Sequence, residues 1–160
     1  MGVLFSAYSD IKEAVAVINT DKIKGEVVFT QKDTRVIISI DVKGLKKNAK
    51  HGFHIHETGD LREGCKSCCA HYNPDNTEHA GIEGGHAGDL GNIKTDNNGV
   101  CKMTIVINKF LVDEILGRSI IIHEDEDDLG LGEYEDSKTT GHSGARIACA
   151  VIGISKNGIT

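Results

Sequence analysis

The sequence predicts an all-β domain: a Greek-key antiparallel β-sandwich or barrel carrying two long functional loops. Three observations predict it. Short runs alternate at the strand period, most plainly where Val36, Ile38, Ile40 and Val42 interleave with Ile37, Ser39 and Asp41. Clusters of Gly, Asp and Asn punctuate these runs. Composition agrees, because 19 glycines stand against a single proline, aromatics are scarce and Trp is absent, which suits many short strands and not a helical bundle. At 160 residues and 39% hydrophobic, the chain is long enough for one domain with a real core.

Taken in order, Ala14 to Ile18 and Glu26 to Thr30 are β-type runs separated by a polar turn around Asp21 to Gly25. The alternating run from Val36 to Val42 follows and stops at Gly44. In the next strand His54 and His56 share one face, because residues two apart do, while Phe53 and Ile55 face the core. From Thr58 to Asn92 no period persists, and the segment reads as a long loop; loops of this length in compact domains are usually functional. Thr95 to Gly99 is a hairpin turn signal before a strand with Cys101, Met103, Ile105 and Ile107 on one face. Asn108 to Gly117 is ambiguous and has room for a short helical turn. Ile120-Ile121-Ile122 leads into His123, a second long loop spans Glu124 to Arg146, and Ile147 to Ile154 closes the domain. The domain runs over 14–160, with residues 1–13 as an N-terminal extension.

The net charge of −6 disfavours nucleic acid as a partner, since that ligand rewards a basic face. No stretch reaches the length of a membrane span, so no transmembrane segment is expected. Met1 to Ser6 lacks a basic n-region and a long apolar h-region, which argues against secretion and for a cytoplasmic protein. Gly2 with Ser6 fits the loose N-myristoylation pattern.

The chemistry-bearing residues are six histidines and one aspartate in three clusters: His54 and His56, then His71, His79, His86 and Asp89, then His123. Neutral imidazole is the preferred ligand of copper and zinc, and an added carboxylate suits zinc, so the clusters point to two adjacent metal sites. His51 is three residues before His54 and off its face, hence structural. His142, in the second loop beside Arg146, reads as solvent-exposed, and Cys101 as a buried small hydrophobe.

In these residues the chain resembles the copper/zinc superoxide dismutase family. The matching segments are His51-Gly52-Phe53-His54-Ile55-His56-Glu57, Gly59-Asp60, Cys65, His71 with Asn73-Pro74, and His86-Ala87-Gly88-Asp89-Leu90-Gly91-Asn92. Others are Gly117-Arg118, Ile120 to Glu124, Asp127-Asp128-Leu129-Gly130 and Gly144-Ala145-Arg146-Ile147-Ala148-Cys149. The resemblance runs in order from about Ala14 to Ile154.

That resemblance implies an immunoglobulin-like sandwich of eight strands. It implies a copper ion held by His54, His56, His71 and His123 and a zinc ion held by His71, His79, His86 and Asp89, with His71 bridging the two. The implied reaction is dismutation of superoxide to dioxygen and hydrogen peroxide by copper cycling between Cu(II) and Cu(I). Arg146 would dock the anion, and Asp127 would link a copper-binding to a zinc-binding histidine. Cys65 and Cys149 match the family's intrachain disulfide. A homodimer is implied through Thr58-Gly59, Gly117, Val151 and Ile154, and a copper chaperone is an admissible partner. The competing readings are a non-catalytic copper-binding or delivery module of the same fold, and a zinc hydrolase. Retention of all four copper-set histidines and Arg146 disfavours the module; the filled zinc set disfavours the hydrolase.

The chain also departs from the family pattern. Cys68 and Cys69 stand where small thiol-free residues are usual, and Cys65-Lys66-Ser67-Cys68 has C-x-x-C spacing suited to disulfide exchange or to holding Cu(I) during loading. The interval from His79 to His86 is two residues short. The family's steering lysine aligns with Thr139, with Lys138 its neighbour, and Glu124 to Asp128 is an acidic run. Weaker electrostatic steering of the substrate is therefore expected.

Overall fold

Strand alternation decides how the chain folds in the computed structural model, which describes residues 10–159. One sheet is built from β1 (Glu13–Asn19), β2 (Lys24–Lys32), β3 (Arg35–Lys43), β7 (Cys101–Ile107) and β10 (Gly153–Ile154), in the order β10-β1-β2-β3-β7. Its inward positions are Ala14, Ala16 and Ile18, Val27 and Phe29, Val36, Ile38, Ile40 and Val42, then Cys101, Ile105 and Ile107, all buried. Every second residue between them is more exposed, which is the signature of a sheet with one face in water.

The second sheet is ordered β6-β4-β8-β9, from β4 (Lys50–His56), β6 (Asp89–Lys94), β8 (Ser119–His123) and β9 (Arg146–Val151). All neighbouring strands in both sheets are antiparallel. Its burial differs from that of the first. His51 to His56 and all five residues of β8 are buried, so both faces of these strands are covered. Phe53, Ile55, Ile120 and Ile122 pack into the common core, each buried side chain contributing roughly 1.5–3 kcal/mol. His54, His56 and His123 lie on the opposite face, beneath the long connections.

The chain crosses between sheets at β3–β4, β6–β7, β7–β8 and β9–β10, as a Greek-key sandwich requires. Nine strands are paired into sheets, one more than the implied eight, because the closing run breaks at buried Ile152 and its last two residues join β1. The segment from Thr58 to Asn92 is not wholly loop. It contains β5 (Arg62–Cys65), a 3-10 turn over Lys66–Cys68, and the start of β6 at Asp89. Thr95 to Gly99 forms a tight turn, with Asp96 accepting from the amides of Asn98 and Val100, but it is not a hairpin: β6 and β7 lie in different sheets. The ambiguous stretch holds the short helix α1 (Val112–Ile115), and the second long loop holds α2 (Ser137–Thr140). Residues ahead of Glu13 already take part: Ile11 bridges to Ile159, and the Lys12 amide donates to Gly158. Gly2 and the myristoylation pattern lie outside the described residues.

Candidate metal centre

The register of the second sheet assembles the site. In β4, His54 stands opposite Ile121 and His56 opposite Ser119 on β8, while His54 also faces Asp89 at the start of β6. His123 ends β8 and is opposite Arg146, the first residue of β9. His71 is brought in by a bridge to His56. His71 is then in ring contact with all five other candidate histidines, from 4.0 Å to His54 to 6.2 Å to His123. It is the geometric centre of the cluster.

Donor atoms of His54, His56, His71 and His123 all lie within 4.8 Å of one another, and all four residues are buried. Each ring has one nitrogen tied and one free. His54 Nε2 donates to Asp127 Oδ2 at 2.5 Å, His56 Nδ1 to the Cys69 carbonyl at 2.8 Å, His71 Nδ1 to Asp89 Oδ1 at 2.9 Å, and His123 Nδ1 to the Gly144 carbonyl at 3.2 Å. Carbonyls and ionised carboxylates only accept, so these bonds fix the tautomers and leave a lone pair on each remaining nitrogen. Those nitrogens are His54 Nδ1, His56 Nε2, His71 Nε2 and His123 Nε2, and all four are buried without a hydrogen-bond partner. A buried polar atom without a partner is costly. A shared ion would satisfy all four together.

A second donor set adjoins the first. His71 Nδ1, His86 Nδ1 and Asp89 Oδ1 form a triangle with sides of 2.9, 3.2 and 3.3 Å. His79 Nδ1 is 2.9 Å from Asp89 Oδ2 without the alignment of a hydrogen bond. Two ligands of a tetrahedral zinc ion stand about 3.3 Å apart, so these separations suit a shared ion that takes the place of the proton on His71 Nδ1. Donor atoms of His54, His71, His79 and Asp89 also lie within 4.8 Å of one another, a grouping that does not include His86. The shorter contacts of His86 to His71 and Asp89 favour His86 as the fourth member, because the His54 nitrogens are already directed at Asp127 and at the first set.

Asp127 joins the two sets. Its Oδ2 accepts from His54 and its Oδ1 from His79 Nε2 at 2.8 Å. Asn92, a residue inside the matched segment to which the sequence assigned no role, clamps it: the Asp127 amide donates to Asn92 Oδ1 at 2.7 Å and Asn92 Nδ2 returns a bond to the Asp127 carbonyl at 2.9 Å. Gly141 has to be glycine, since its φ is +70° and a Cβ there would fall 2.1 Å from Asp127 Oδ1.

Burial sets the protonation states. Desolvation, helped by neighbouring His71, holds His54 neutral with a pKa of about 3, and desolvation likewise takes His123 to about 4. His56 and His71 are also pushed down by burial. His79 goes the other way: burial opposes its charge but is outweighed by Asp127 and Asp89, which raise it to about 9. For Asp127 burial is likewise outweighed, by His54 and His79, and its carboxyl is held at about 2.

Arg146, at the rim, donates through Nη1 to the Cys65 carbonyl at 2.8 Å and through Nη2 to the Cys69 carbonyl at 2.6 Å. Cys65 is disulfide-bonded to Cys149. Cys68 is therefore a free, buried thiol and not half of a C-x-x-C bond, while Cys69 is free and exposed and Cys101 free and buried. A cleft of about 530 Å³ opens beside His71 and His86, with Glu57, Glu78, Lys138 and Thr139 among its walls. His51 is buried, with Nδ1 donating to the His123 carbonyl at 2.8 Å. Exposed His142 stacks on Tyr134 and bonds Asp136.

A two-sheet antiparallel sandwich with buried, pre-oriented imidazole and carboxylate donors on its second sheet defines the class: a small β-sandwich protein equipped to hold metal ions. The family model for copper/zinc superoxide dismutase (SODC) matches residues 23–152. A superoxide dismutase [Cu-Zn] of Paramecium bursaria Chlorella virus 1 is 48% identical over 148 residues, covering 89% of this chain and 79% of its own. That of Candida albicans is 47% identical over 152 residues, covering 90% and 99%. An extracellular superoxide dismutase [Cu-Zn] of Drosophila melanogaster is 49% identical over 140 residues, covering 83% and 77%. Among solved structures, that of the clock protein EA4 superposes with a TM-score of 0.88 at 36% identity, covering 95% of this chain and all of the other. The chain belongs to the copper/zinc superoxide dismutase family.

Proposed function

We propose that this protein is an oxidoreductase that converts two superoxide anions and two protons into dioxygen and hydrogen peroxide. The observation that carries the reading is the convergence of four buried, partnerless ring nitrogens beside Arg146. His54, His56, His71 and His123 would hold copper, and His71, His79, His86 and Asp89 zinc. Copper when bound supplies one-electron exchange, and zinc, without redox chemistry, organises the shared ligand.

The chain's own residues do the rest. Arg146 draws the anion to the rim and orients it with a guanidinium that stays charged at every working pH. His71 is the proton carrier: its Nε2, a lone-pair nitrogen in the donor set, takes up a proton when no ion occupies it, while Asp89 faces its Nδ1. Asp127 locks the rings of His54 and His79 against rotation. Lys138 is a cationic wall of the cleft, opposed by Glu57 and Glu78, so steering is modest.

Superoxide decay followed by pulse radiolysis tests the reading on protein reconstituted with copper and zinc and on the metal-free form. Fast decay only with copper supports it; full copper binding without acceleration would instead make the chain a copper-handling module. A homodimer is part of the proposal, supported by exposed Val151 beside Gly59 and Gly117 and by exposed Ile154, and a single 17 kDa species in sedimentation at micromolar concentration would exclude it. A cytoplasmic location is supported by three free thiols, which suit a reducing compartment.

A further inference from the structure

The stretch between His79 and His86 is tied down at Ile82, which packs on the core, and at the Ala80 amide, which donates to Asp89 Oδ2 at 3.3 Å, but the turn ahead of His86 is open at Glu83 and Gly84. Its turn is made by the amides of Gly84 and Gly85 donating to the Gly81 carbonyl, and a Cβ at Gly84 would touch nothing within 4 Å. The ring of His86 nevertheless needs a defined orientation, since its Nδ1 must stand beside His71 Nδ1 and Asp89 Oδ1. Its amide is fixed by donating to Asp89 Oδ2 at 2.8 Å. Its carbonyl accepts the Asp89 amide at 3.0 Å and, from outside the loop, Lys109 Nζ at 2.8 Å.

We propose that Lys109 is a positioning residue for the zinc site, holding the His86 backbone so that its Nδ1 stays among the donors. The lysine stands on a firm base. It follows β7 in the connection to α1, and that connection is anchored by buried Phe110 and Val112 and by the Val112 amide donating to Gln31 at 2.8 Å. Its side chain is half-buried, and that burial pushes its pKa down, while Asp89 and Glu83 pull the other way and favour its charge. An ammonium–carbonyl bond out of full solvent is stronger than a neutral one, and it restrains the end of a glycine-rich turn in which Glu83 and Gly84 are exposed. His86 is thus held by Asp89 at both its amide and its carbonyl, and Lys109 adds a second, charged donor to the carbonyl from another part of the fold.

The inference rests on His86 being a zinc ligand, and the experiment separates the two. Zinc affinity is measured by competition with a chromophoric chelator, together with the visible spectrum of Co(II) placed in the zinc site and the melting temperature of the metal-free protein. Lys109→Met is expected to weaken zinc by roughly 10-fold or more, as loss of an outer partner typically does. It should alter the Co(II) band shape and leave the metal-free melting temperature unchanged. Lys109→Arg, which can still donate to the carbonyl, should restore both zinc affinity and spectrum. If Lys109→Met binds zinc like the parent with an unchanged Co(II) spectrum, or lowers the metal-free melting temperature as much as the metal-bound one, the positioning role is wrong. His86→Ala serves as the control: if it leaves zinc affinity intact, the ligand assignment fails and takes this inference with it.

Discussion

Arg146 and His56 hold the same atom. Arg146 Nη2 donates to the Cys69 carbonyl at 2.6 Å, and His56 Nδ1 donates to that carbonyl at 2.8 Å. The Arg146 guanidinium and the buried His56 imidazole are therefore oriented by one backbone oxygen, four residues after the disulfide-bonded Cys65.

Arg146→Met should retain copper yet lower the superoxide rate by about tenfold or more, and flatten its dependence on salt, because the local cation that attracts the anion is gone. Lys138→Glu should produce a smaller loss of the same kind, since Lys138 acts from the cleft wall. Pulse radiolysis across a range of ionic strengths reads both. An Arg146→Met enzyme with the parent's rate and salt slope would contradict the docking role.

Cys69 has φ +65° and ψ −147°, backbone that suits glycine and strains any residue with a Cβ. Cys69→Gly should stabilise the protein by about 1 kcal/mol after the entropy of the freer unfolded chain is counted, whereas Cys69→Ala should give no gain. Urea unfolding of the two variants distinguishes relief of strain from loss of the thiol; equal effects would rule strain out.

Asp127→Asn removes one of two acceptors facing the Nε2–H groups of His54 and His79. The amide nitrogen must then meet one N–H, so one ring turns. Both metals should weaken, by about 10–100-fold each. Weakening of one alone, in metal titrations of each site, would mean that the carboxylate does not couple them.

His79 is protonated below about pH 9 in the metal-free protein, and its Nδ1 must give up that proton to become a ligand. Zinc binding should release close to one proton at neutral pH, and zinc affinity should rise about tenfold per pH unit between about 6.5 and 9, then level off. The folded-state pKa is raised, so the stability His79 lends the metal-free protein is full below its unfolded value near 6.5 and is lost as pH rises through about 9. Calorimetry in buffers of different ionisation heat measures the proton count; none released at pH 7 would refute the assignment.

Cys65 and Cys149 close 84 positions of sequence. Cys149→Ser should cost roughly 4–5 kcal/mol in the chain-entropy model. It should also loosen Arg146, whose acceptors include the Cys65 carbonyl, so the rate per bound copper should fall together with the melting temperature. A drop in stability with an unchanged rate would show that the bond does not position the arginine.

Much of this was readable in the sequence because it depends on local period. Two-residue alternation put Phe53 and Ile55 into the core and His54 and His56 on the other face, and the alternation from Val36 to Val42 marked β3. Two kinds of feature escaped. Asp89 to Asn92 begins β6 with a polar donor and includes Gly91 at φ +74°, so no apolar pattern announced a strand. Turn chemistry marked Thr95 to Gly99, but turn chemistry is local and which sheet a strand joins is decided by tertiary packing. Backbone acceptors are silent too: nothing in the sequence singles out the carbonyls of Cys69 and His86, so the bonds from Arg146 and Lys109 became visible only in three dimensions.

The donors come from distant parts of the chain, with His54 on β4, Asp89 on β6, His123 on β8 and Asp127 beyond it. No local stretch can assemble them, and contacts so far apart in sequence form slowly because loop closure comes first. A nascent or partly folded chain therefore lacks the complete pocket, and capture of the pair of ions reports that the last strands have docked. A complete donor set is therefore a property of the finished fold and of no fragment of it.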